Sequence, residues 1–303
     1  MSAQAPTRWG AVMSAMVTPF GKDGALDLDA ARRLARWLQA HGNDGLVVSA
    51  TTGEASTLTD DERCDLVRAV SEAVTIPVLA GTGSNDTAHT VMLTRKAEGL
   101  GAAGVLVVAP YYNRPPQAGI EAHFRAAAAA TKLPVMIYDV PVRTGRRVAQ
   151  EVLLRLFTEV RNIVAFKDAT GDPPAAAALV AQAGEHFELY SGDDAFTLPL
   201  LAAGAVGVVG TTTHWTGVQT QAMIAAFLRG DVAGARAIDA QLQDSFGFVN
   251  TEESVYPMSI KAMLRTLGLE VGECRLPLPP APEGVEAQAR AVIAGLTRNP
   301  SGR

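Results

Sequence analysis

The chain has 303 residues, of which 48% are hydrophobic and 19% are charged. That balance argues against a disordered chain and allows a large buried core. The net charge of -5 argues against a basic surface for nucleic acid or for anionic membranes. No apolar stretch is long enough to predict a membrane span. Cys64 and Cys274 lie in no metal or redox spacing, so we expect a soluble cytoplasmic protein with a small-molecule ligand.

Predicted strands alternate with predicted helices along most of the chain. Short apolar runs are followed by longer segments with helical periodicity, which is typical of repeated βα units and a parallel sheet. Eight strands are predicted, at residues 11–17, 45–49, 77–80, 104–109, 134–138, 163–166, 188–191 and 206–210. Helices are predicted between them, among others at residues 29–40, 59–73, 86–100, 119–130 and 149–157.

The strand count predicts an α/β fold, a (β/α)8 TIM barrel with about three additional C-terminal helices. We expect a single domain over residues 1–303, with the barrel at 10–212 and a C-terminal helical extension and tail at 213–303. A proline-rich run at 277–282 predicts an extended surface segment before a last short helix. An open doubly wound sheet is the alternative, but no Gly-x-Gly-x-x-Gly motif follows the first strand.

Lys167 directly follows the sixth predicted strand. Catalytic groups of (β/α)8 barrels lie at the C-terminal ends of the strands and in the loops that follow. Desolvation at the mouth of an apolar barrel lowers the pKa of a lysine, and the neutral amine can attack a carbonyl carbon. The alternative is a structural lysine that pairs with Asp168 or with another carboxylate at a strand end.

Two further polar features end neighbouring strands. Tyr138 ends the fifth strand, where its phenol could transfer protons in the same space or merely cap the barrel core. Thr51 and Thr52 precede Gly53 after the second strand. Their hydroxyl and backbone N–H groups could bind a carboxylate, and the alternative is a plain turn before a helix.

The sequence predicts neither a metal site nor a bound cofactor. The five histidines are scattered without an i, i+4 pair, and no Gly-x-Ser-x-Gly or nucleotide-binding loop motif occurs. A glycine-rich stretch at 204–210 resembles a phosphate loop, but a close-packed last strand explains it as well.

Four motifs, in order and each after a predicted strand, resemble the dihydrodipicolinate synthase/N-acetylneuraminate lyase family. They are Ala-Thr-Thr-Gly-Glu at 50–54, Pro-Tyr-Tyr-Asn-Arg-Pro at 110–115, Tyr-Asp-Val-Pro-x-Arg-Thr at 138–144 and Phe-Lys-Asp-Ala-Thr-Gly at 166–171. The resemblance implies a (β/α)8 barrel that forms a pyruvate Schiff base without metal or organic cofactor. It also implies a homotetramer, a dimer of dimers.

The resemblance implies a role for each matching residue. Lys167 is similar to the lysine that condenses with pyruvate, and Tyr138 to the tyrosine that transfers protons beside it. Thr51 and Thr52 are similar to the contacts of the pyruvate carboxylate, with Thr51 also in the proton relay. Tyr112 resembles a relay tyrosine that crosses a dimer interface. Positions implied to border the substrate on the last two strands and their loops are Gly192, Asp193 and Val209.

Arg143 favours one branch of the family. An arginine at this place in the synthase branch binds the carboxylate of L-aspartate 4-semialdehyde, and the planar guanidinium suits that role. The resemblance therefore implies condensation of pyruvate with this aldehyde to give 4-hydroxy-tetrahydrodipicolinate. The alternatives are a pyruvate-dependent aldolase acting on a 2-keto-3-deoxy sugar acid or related 2-oxo acid, and a catalytically silent barrel that serves as a binding module.

Three departures from the family pattern occur. Ala50 replaces the usual glycine before the threonine pair, and Asp139 replaces the usual asparagine after the tyrosine. The segment 255–261 differs from the family's common Asn-Pro-x-Pro-Val-Lys. We expect this last change to affect the packing of the C-terminal helices and not the chemistry.

Overall fold

A computed structural model describes residues 7–184 and 186–298 of the chain. Eight parallel strands form a closed barrel in chain order, because β1 pairs with both β2 and β8. The strands are β1 (Val12–Ala15), β2 (Gly45–Val48), β3 (Val78–Gly81), β4 (Gly104–Val108), β5 (Val135–Asp139), β6 (Ile163–Asp168), β7 (Glu188–Ser191) and β8 (Gly207–Gly210). The predicted TIM barrel is confirmed, and the open sheet is wrong.

Helices surround the barrel. They are α1 (Leu28–Ala40), α2 (Asp60–Ala73), α3 (Thr87–Ala97), α4 (Gln117–Ala129), α5 (Pro141–Thr144), α6 (Gln150–Glu159), α7 (Pro173–Ala183), α8 (Thr197–Ala202), α9 (Thr213–Leu228), α10 (Val232–Phe248), α11 (Met258–Thr266) and α12 (Val285–Arg298). Capping residues determine where several of these helices begin. Thr59 and Glu62 form a reciprocal capping box at α2, for example, as the sequence predicts.

The strands separate two regions of the core. Alternate strand residues point into the barrel or out toward the helices. The interior is a small cluster that includes Met13, Val47, Leu106 and Val209, whereas the larger cluster lies between the strands and the helices. Polar side chains that point inward near the C-terminal ends of the strands therefore lie above an apolar floor.

Three helices follow α9, which is the number of additional helices that the sequence predicts. Contacts of α10 with α9 and α8, and of α11 with α9, join this region to the barrel, and α12 packs on α10 and α11. The last helix, α12, has 14 residues and is longer than the short helix expected. Ala289 is fully buried, and Val292, Ile293 and Leu296 pack against the core. No helix in the described part of the chain is long and apolar enough to cross a membrane.

Candidate active site

Tyr138 and Lys167 lie side by side at the barrel mouth. They are directly paired residues of β5 and β6. Strand β6 continues through Asp168 instead of ending at Phe166 as predicted. The Lys167 Nζ atom lies 4.3 Å from the centroid of the Tyr138 ring, and each residue is only 4% exposed. The barrel thus brings together an amine and a phenol that the sequence predicts at the ends of neighbouring strands.

Lys167 has no carboxylate partner in the part of the chain that the structure describes. No Asp or Glu oxygen in the described residues lies within ion-pair distance of its Nζ atom. Burial lowers the pKa of Lys167 to about 8, and the negative charges of Asp194 and Asp193 offset part of that effect. Asp168 is the next strand residue and therefore points to the opposite face. The alternative of a structural lysine paired with Asp168 is wrong, and the amine is available for nucleophilic attack.

Tyr138 remains a neutral phenol at physiological pH. Burial raises its pKa above the ordinary value, and the nearby hydroxyl of Tyr256 raises it further, while Arg143 opposes the shift. A neutral phenol can both donate and accept a hydrogen bond. It is therefore suited to receive a proton and return it without a stable phenolate.

The turn after β2 presents free backbone donors. The N–H groups of Thr51, Thr52 and Gly53 have no acceptor within residues 7–184 and 186–298. The turn itself is well fixed, because the Thr18 hydroxyl donates to the Gly53 carbonyl at 2.6 Å. A Cβ atom on Gly53 would lie 3.0 Å from the Met16 carbonyl oxygen, so a larger residue would require the neighbouring backbone to shift by a few tenths of an ångström. A rigid turn whose N–H groups lack acceptors among the described residues is suited to bind a carboxylate.

A buried ion pair holds this turn against the C-terminal helices. Lys261 of α11 donates to the Glu54 carboxylate at 2.7 Å, and both side chains are almost fully buried. The other Glu54 oxygen accepts the backbone N–H of Arg275 at 2.8 Å. Because Glu54 directly follows Gly53, α11 is fixed relative to the barrel mouth.

Thr51, Tyr138 and Arg143 line one cavity at the barrel mouth, with a volume of about 230 Å³. Tyr111 also borders this cavity. Its size suits small ligands such as short-chain oxo acids. Thr52 is buried and does not line this cavity.

Arg143 meets a residue from the segment that departs from the family pattern. Its Nε atom donates to the Tyr256 hydroxyl at 2.7 Å. Its guanidinium carbon lies 4.4 Å from the centroid of the Tyr256 ring. The departing segment therefore contacts Arg143 at the barrel mouth as well as the C-terminal helices, because Tyr256 lies in the loop between α10 and α11.

The seventh and eighth strands close the other side of the site. Val209 is fully buried in the barrel interior, and Gly192 packs so closely that a Cβ atom would lie 2.9 Å from the Ala169 Cβ atom. Asp193 caps the short helical turn after β7 and is near enough to Lys167 for its charge to act on that amine. None of these three positions lines the cavity with Arg143.

Asp194 is a structural feature of the site that the sequence analysis did not identify. Its carboxylate accepts hydrogen bonds from the backbone N–H and hydroxyl groups of both Thr211 and Thr212. The loop after β7 is thereby tied to the loop after β8. The sequence contains a signal, since an acidic residue after β7 is followed later by three consecutive threonines after β8.

Tyr112 lies outside the cavity. Its side chain is 89% exposed, and its backbone has a φ of 71°, a left-handed conformation that is uncommon for a bulky residue. The neighbouring Tyr111 borders the cavity instead. Within a single chain Tyr112 does not reach Lys167.

A second cavity, of about 390 Å³, lies outside the barrel between β5, β6, α6 and α7. Asp139 and Asp168 face it as directly paired strand residues. Burial raises the pKa of Asp139 to about 7, and the charge of Asp168 contributes to the shift. The Asp139 Oδ1 atom has no hydrogen-bond partner, while Oδ2 accepts the Val148 N–H at 2.9 Å. Among the described residues, no group of three or more His, Cys, Asp or Glu side chains is arranged to hold a metal.

Comparison with known proteins extends over nearly the whole chain. The sequence is similar to the 4-hydroxy-tetrahydrodipicolinate synthase of Acidothermus cellulolyticus, with 54% identity over 95% of this chain and 93% of that protein. It is 49% identical to the enzyme of the same name from Moorella thermoacetica, over 89% and 92% of the two chains. The solved dihydrodipicolinate synthase from Bacillus anthracis superposes with a TM-score of 0.91 at 39% identity, covering 97% and 99% of the chains.

Residues 8–295 match the dihydrodipicolinate synthetase family. This range includes the complete barrel and most of α12, so the match is not confined to the four motifs. The barrel fold, the pairing of Lys167 with Tyr138 and the similarity to the relatives all indicate the same family. The chain belongs to the dihydrodipicolinate synthetase family.

Proposed function

We propose that this chain is a 4-hydroxy-tetrahydrodipicolinate synthase, a carbon-carbon lyase that condenses pyruvate with L-aspartate 4-semialdehyde through a Schiff base on Lys167. The observation that carries the proposal is the buried Lys167 amine, unpaired with any described carboxylate and lying 4.3 Å from the Tyr138 ring. The similarity to two 4-hydroxy-tetrahydrodipicolinate synthases at 54% and 49% identity supports the overall reaction.

The first step joins Lys167 to pyruvate. The neutral amine attacks the keto carbon, and loss of water leaves a protonated imine. Tyr138 is placed to transfer the protons that convert the carbinol oxygen into the leaving water. The pyruvate carboxylate would lie on the free N–H groups of Thr51 and Thr52, with the Thr51 hydroxyl in the proton relay.

The second step forms the carbon-carbon bond. Loss of a methyl proton converts the imine into an enamine, and the positive imine nitrogen accepts the electron pair. The enamine carbon attacks the aldehyde carbon, whose oxygen takes up a proton and becomes a hydroxyl. The amino group of the aldehyde substrate then attacks the imine carbon and displaces Lys167, which closes the ring and releases the enzyme. No metal or organic cofactor takes part in this sequence.

Arg143 would bind the carboxylate of the aldehyde substrate. It lines the same cavity as Thr51 and Tyr138, and a guanidinium can bind a carboxylate through two parallel hydrogen bonds. Gly192, Asp193 and Val209 would border the substrate from the side of β7 and β8, where the charge of Asp193 acts on Lys167.

The protein would act as a cytoplasmic homotetramer, a dimer of dimers. Each chain would be a single domain, with the barrel at residues 10–212 and the C-terminal helical extension and tail at 213–303. The exposed Tyr112 supports the dimer. A phenol that lies outside its own cavity and has a left-handed backbone is suited to enter the site of a second copy, where it would join the proton relay with Thr51 and Tyr138.

Side-by-side turnover tests the proposed reaction against its alternative. Purified protein is given pyruvate with L-aspartate 4-semialdehyde in one assay and a 2-keto-3-deoxy sugar acid in the other, and product is measured by mass spectrometry. We expect condensation with the semialdehyde and little cleavage of the sugar acid. Efficient cleavage of the sugar acid alone would favour an aldolase, and no turnover of either would favour a silent barrel. Lys167→Arg serves as the inactive control.

A further inference from the structure

Tyr256 occupies a fixed position above the barrel mouth. It lies just before α11, whose Lys261 is held by the buried pair with Glu54. The preceding turn is closed by the Thr251 hydroxyl and the Ser254 N–H, 3.0 Å apart. The Tyr256 ring itself packs against the main core cluster. Its phenol is thus presented by a rigid segment and not by a free loop.

The Tyr256 side chain makes two contacts with one guanidinium. Its hydroxyl oxygen accepts from the Arg143 Nε atom at 2.7 Å, and its ring lies 4.4 Å from the Arg143 Cζ atom. Arg143 is otherwise on the exposed side of the short helix α5. An exposed arginine samples many rotamers, and a stacked and hydrogen-bonded one samples few.

These contacts leave one edge of the guanidinium free. Nε is occupied by Tyr256, whereas Nη1 and Nη2 have no acceptor in the part of the chain that the structure describes. The terminal Nη1–Nη2 edge is one of the two edges through which arginine binds a carboxylate with paired hydrogen bonds. The other edge, which includes Nε, is blocked by the phenol.

We propose that Tyr256 is a positioning residue for the second substrate: it holds Arg143 so that the terminal Nη1–Nη2 edge receives the carboxylate of the aldehyde. The inference rests on the proposed function, because it takes Arg143 as the carboxylate contact. Tyr256 acts through Arg143 and sets the affinity for the aldehyde, while imine formation at Lys167 does not depend on it.

The test separates the aldehyde from pyruvate. Tyr256→Phe removes the acceptor and keeps the ring, and we expect it to raise the KM for L-aspartate 4-semialdehyde about tenfold, the loss of one hydrogen bond. Tyr256→Ala also removes the stacking, and about a 30-fold rise is expected. The KM for pyruvate and the rate of borohydride trapping with pyruvate should stay unchanged in both, which a general structural defect would not allow.

A double variant shows whether Tyr256 acts through Arg143. In an Arg143→Ala background, Tyr256→Phe should have no further effect on the KM for the aldehyde. A further tenfold rise in that background, or an unchanged aldehyde KM in Tyr256→Phe alone, would overturn the proposal. Wild-type turnover of the semialdehyde is measured first, so that a failure of the proposed reaction is distinguished from a failure of this inference.

Discussion

The Lys167 Nζ atom lies 4.3 Å from the centroid of the Tyr138 ring, and the two residues are directly paired on adjacent strands. The ring covers one side of the amine and excludes water from it. Among the described residues, no carboxylate contacts the amine directly. Desolvation is therefore the largest influence on the pKa of Lys167.

The activity should depend on the protonation of Lys167. Burial lowers its pKa to about 8, so the neutral, nucleophilic fraction increases about tenfold for each pH unit below that value and levels off above it. We expect kcat/KM for pyruvate to rise from pH 6 to 8 and then reach a plateau. A profile that keeps rising to pH 10, as for an ordinary lysine, would contradict the buried amine.

Replacement of Tyr138 by Phe should slow the reaction and preserve the fold. The ring that packs on Lys167 remains, and only the proton-transferring hydroxyl is lost. We expect kcat to fall by about 10²- to 10⁴-fold. The control is Tyr190→Phe, which removes another buried phenol hydroxyl, one that donates to Glu188. Equal losses in the two variants would show that Tyr138 has no special role.

Asp139 should make the stability depend on pH. Burial raises its pKa in the folded state to about 7 from 3.8. Its contribution is therefore fully present below about pH 4, where the unfolded chain is also protonated, and is lost as the pH rises through 7. Asp139→Asn removes this loss and can still accept the Val148 N–H. We expect it to stabilise the protein by on the order of 3 kcal/mol at pH 8 and by much less at pH 5.

Urea unfolding of wild type and Asp139→Asn at both pH values measures this difference. Asp172→Asn is the control, because its exposed carboxylate has a lowered pKa and should give the opposite trend. An equal effect of Asp139→Asn at pH 5 and pH 8 would mean that Asp139 is ionised throughout this range.

Loss of Lys261 should destabilise the whole fold. Lys261→Met leaves the buried Glu54 carboxylate without its charge partner, which typically costs about 3–5 kcal/mol. Adding Glu54→Gln should restore part of that loss, because the buried charge is then removed. Lys132→Met, at an exposed lysine, is the matched control and should change little. If Lys261→Met and Lys132→Met unfold at the same urea concentration, the ion pair between Lys261 and Glu54 does not stabilise the structure.

The sequence predicted the barrel well because its signals are local. All eight strands lie within two residues of their predicted bounds, since apolar runs and capping residues are properties of short segments. The main difference is β6, which includes Lys167 and Asp168. Pairing with β5 and β7 on both sides extends it beyond its apolar run.

The site was predictable only in part. Strand position and family motifs identified Lys167, Tyr138 and Arg143 as candidates, but the sequence could not show that Lys167 lacks a carboxylate partner. That depends on which face of the strand Asp168 occupies. Tyr256 was missed because it lies 113 residues from Arg143 and in a segment that departs from the family pattern. Contacts of this kind depend on how α11 packs on the barrel.

Chemical trapping of the imine tests the central claim most directly. The protein is incubated with pyruvate and sodium borohydride, and the digested peptides are analysed by mass spectrometry. We expect loss of activity and a reduced pyruvate adduct on Lys167, with no adduct in Lys167→Arg. Full activity after this treatment, or an adduct on another lysine with Lys167 unmodified, would contradict the account.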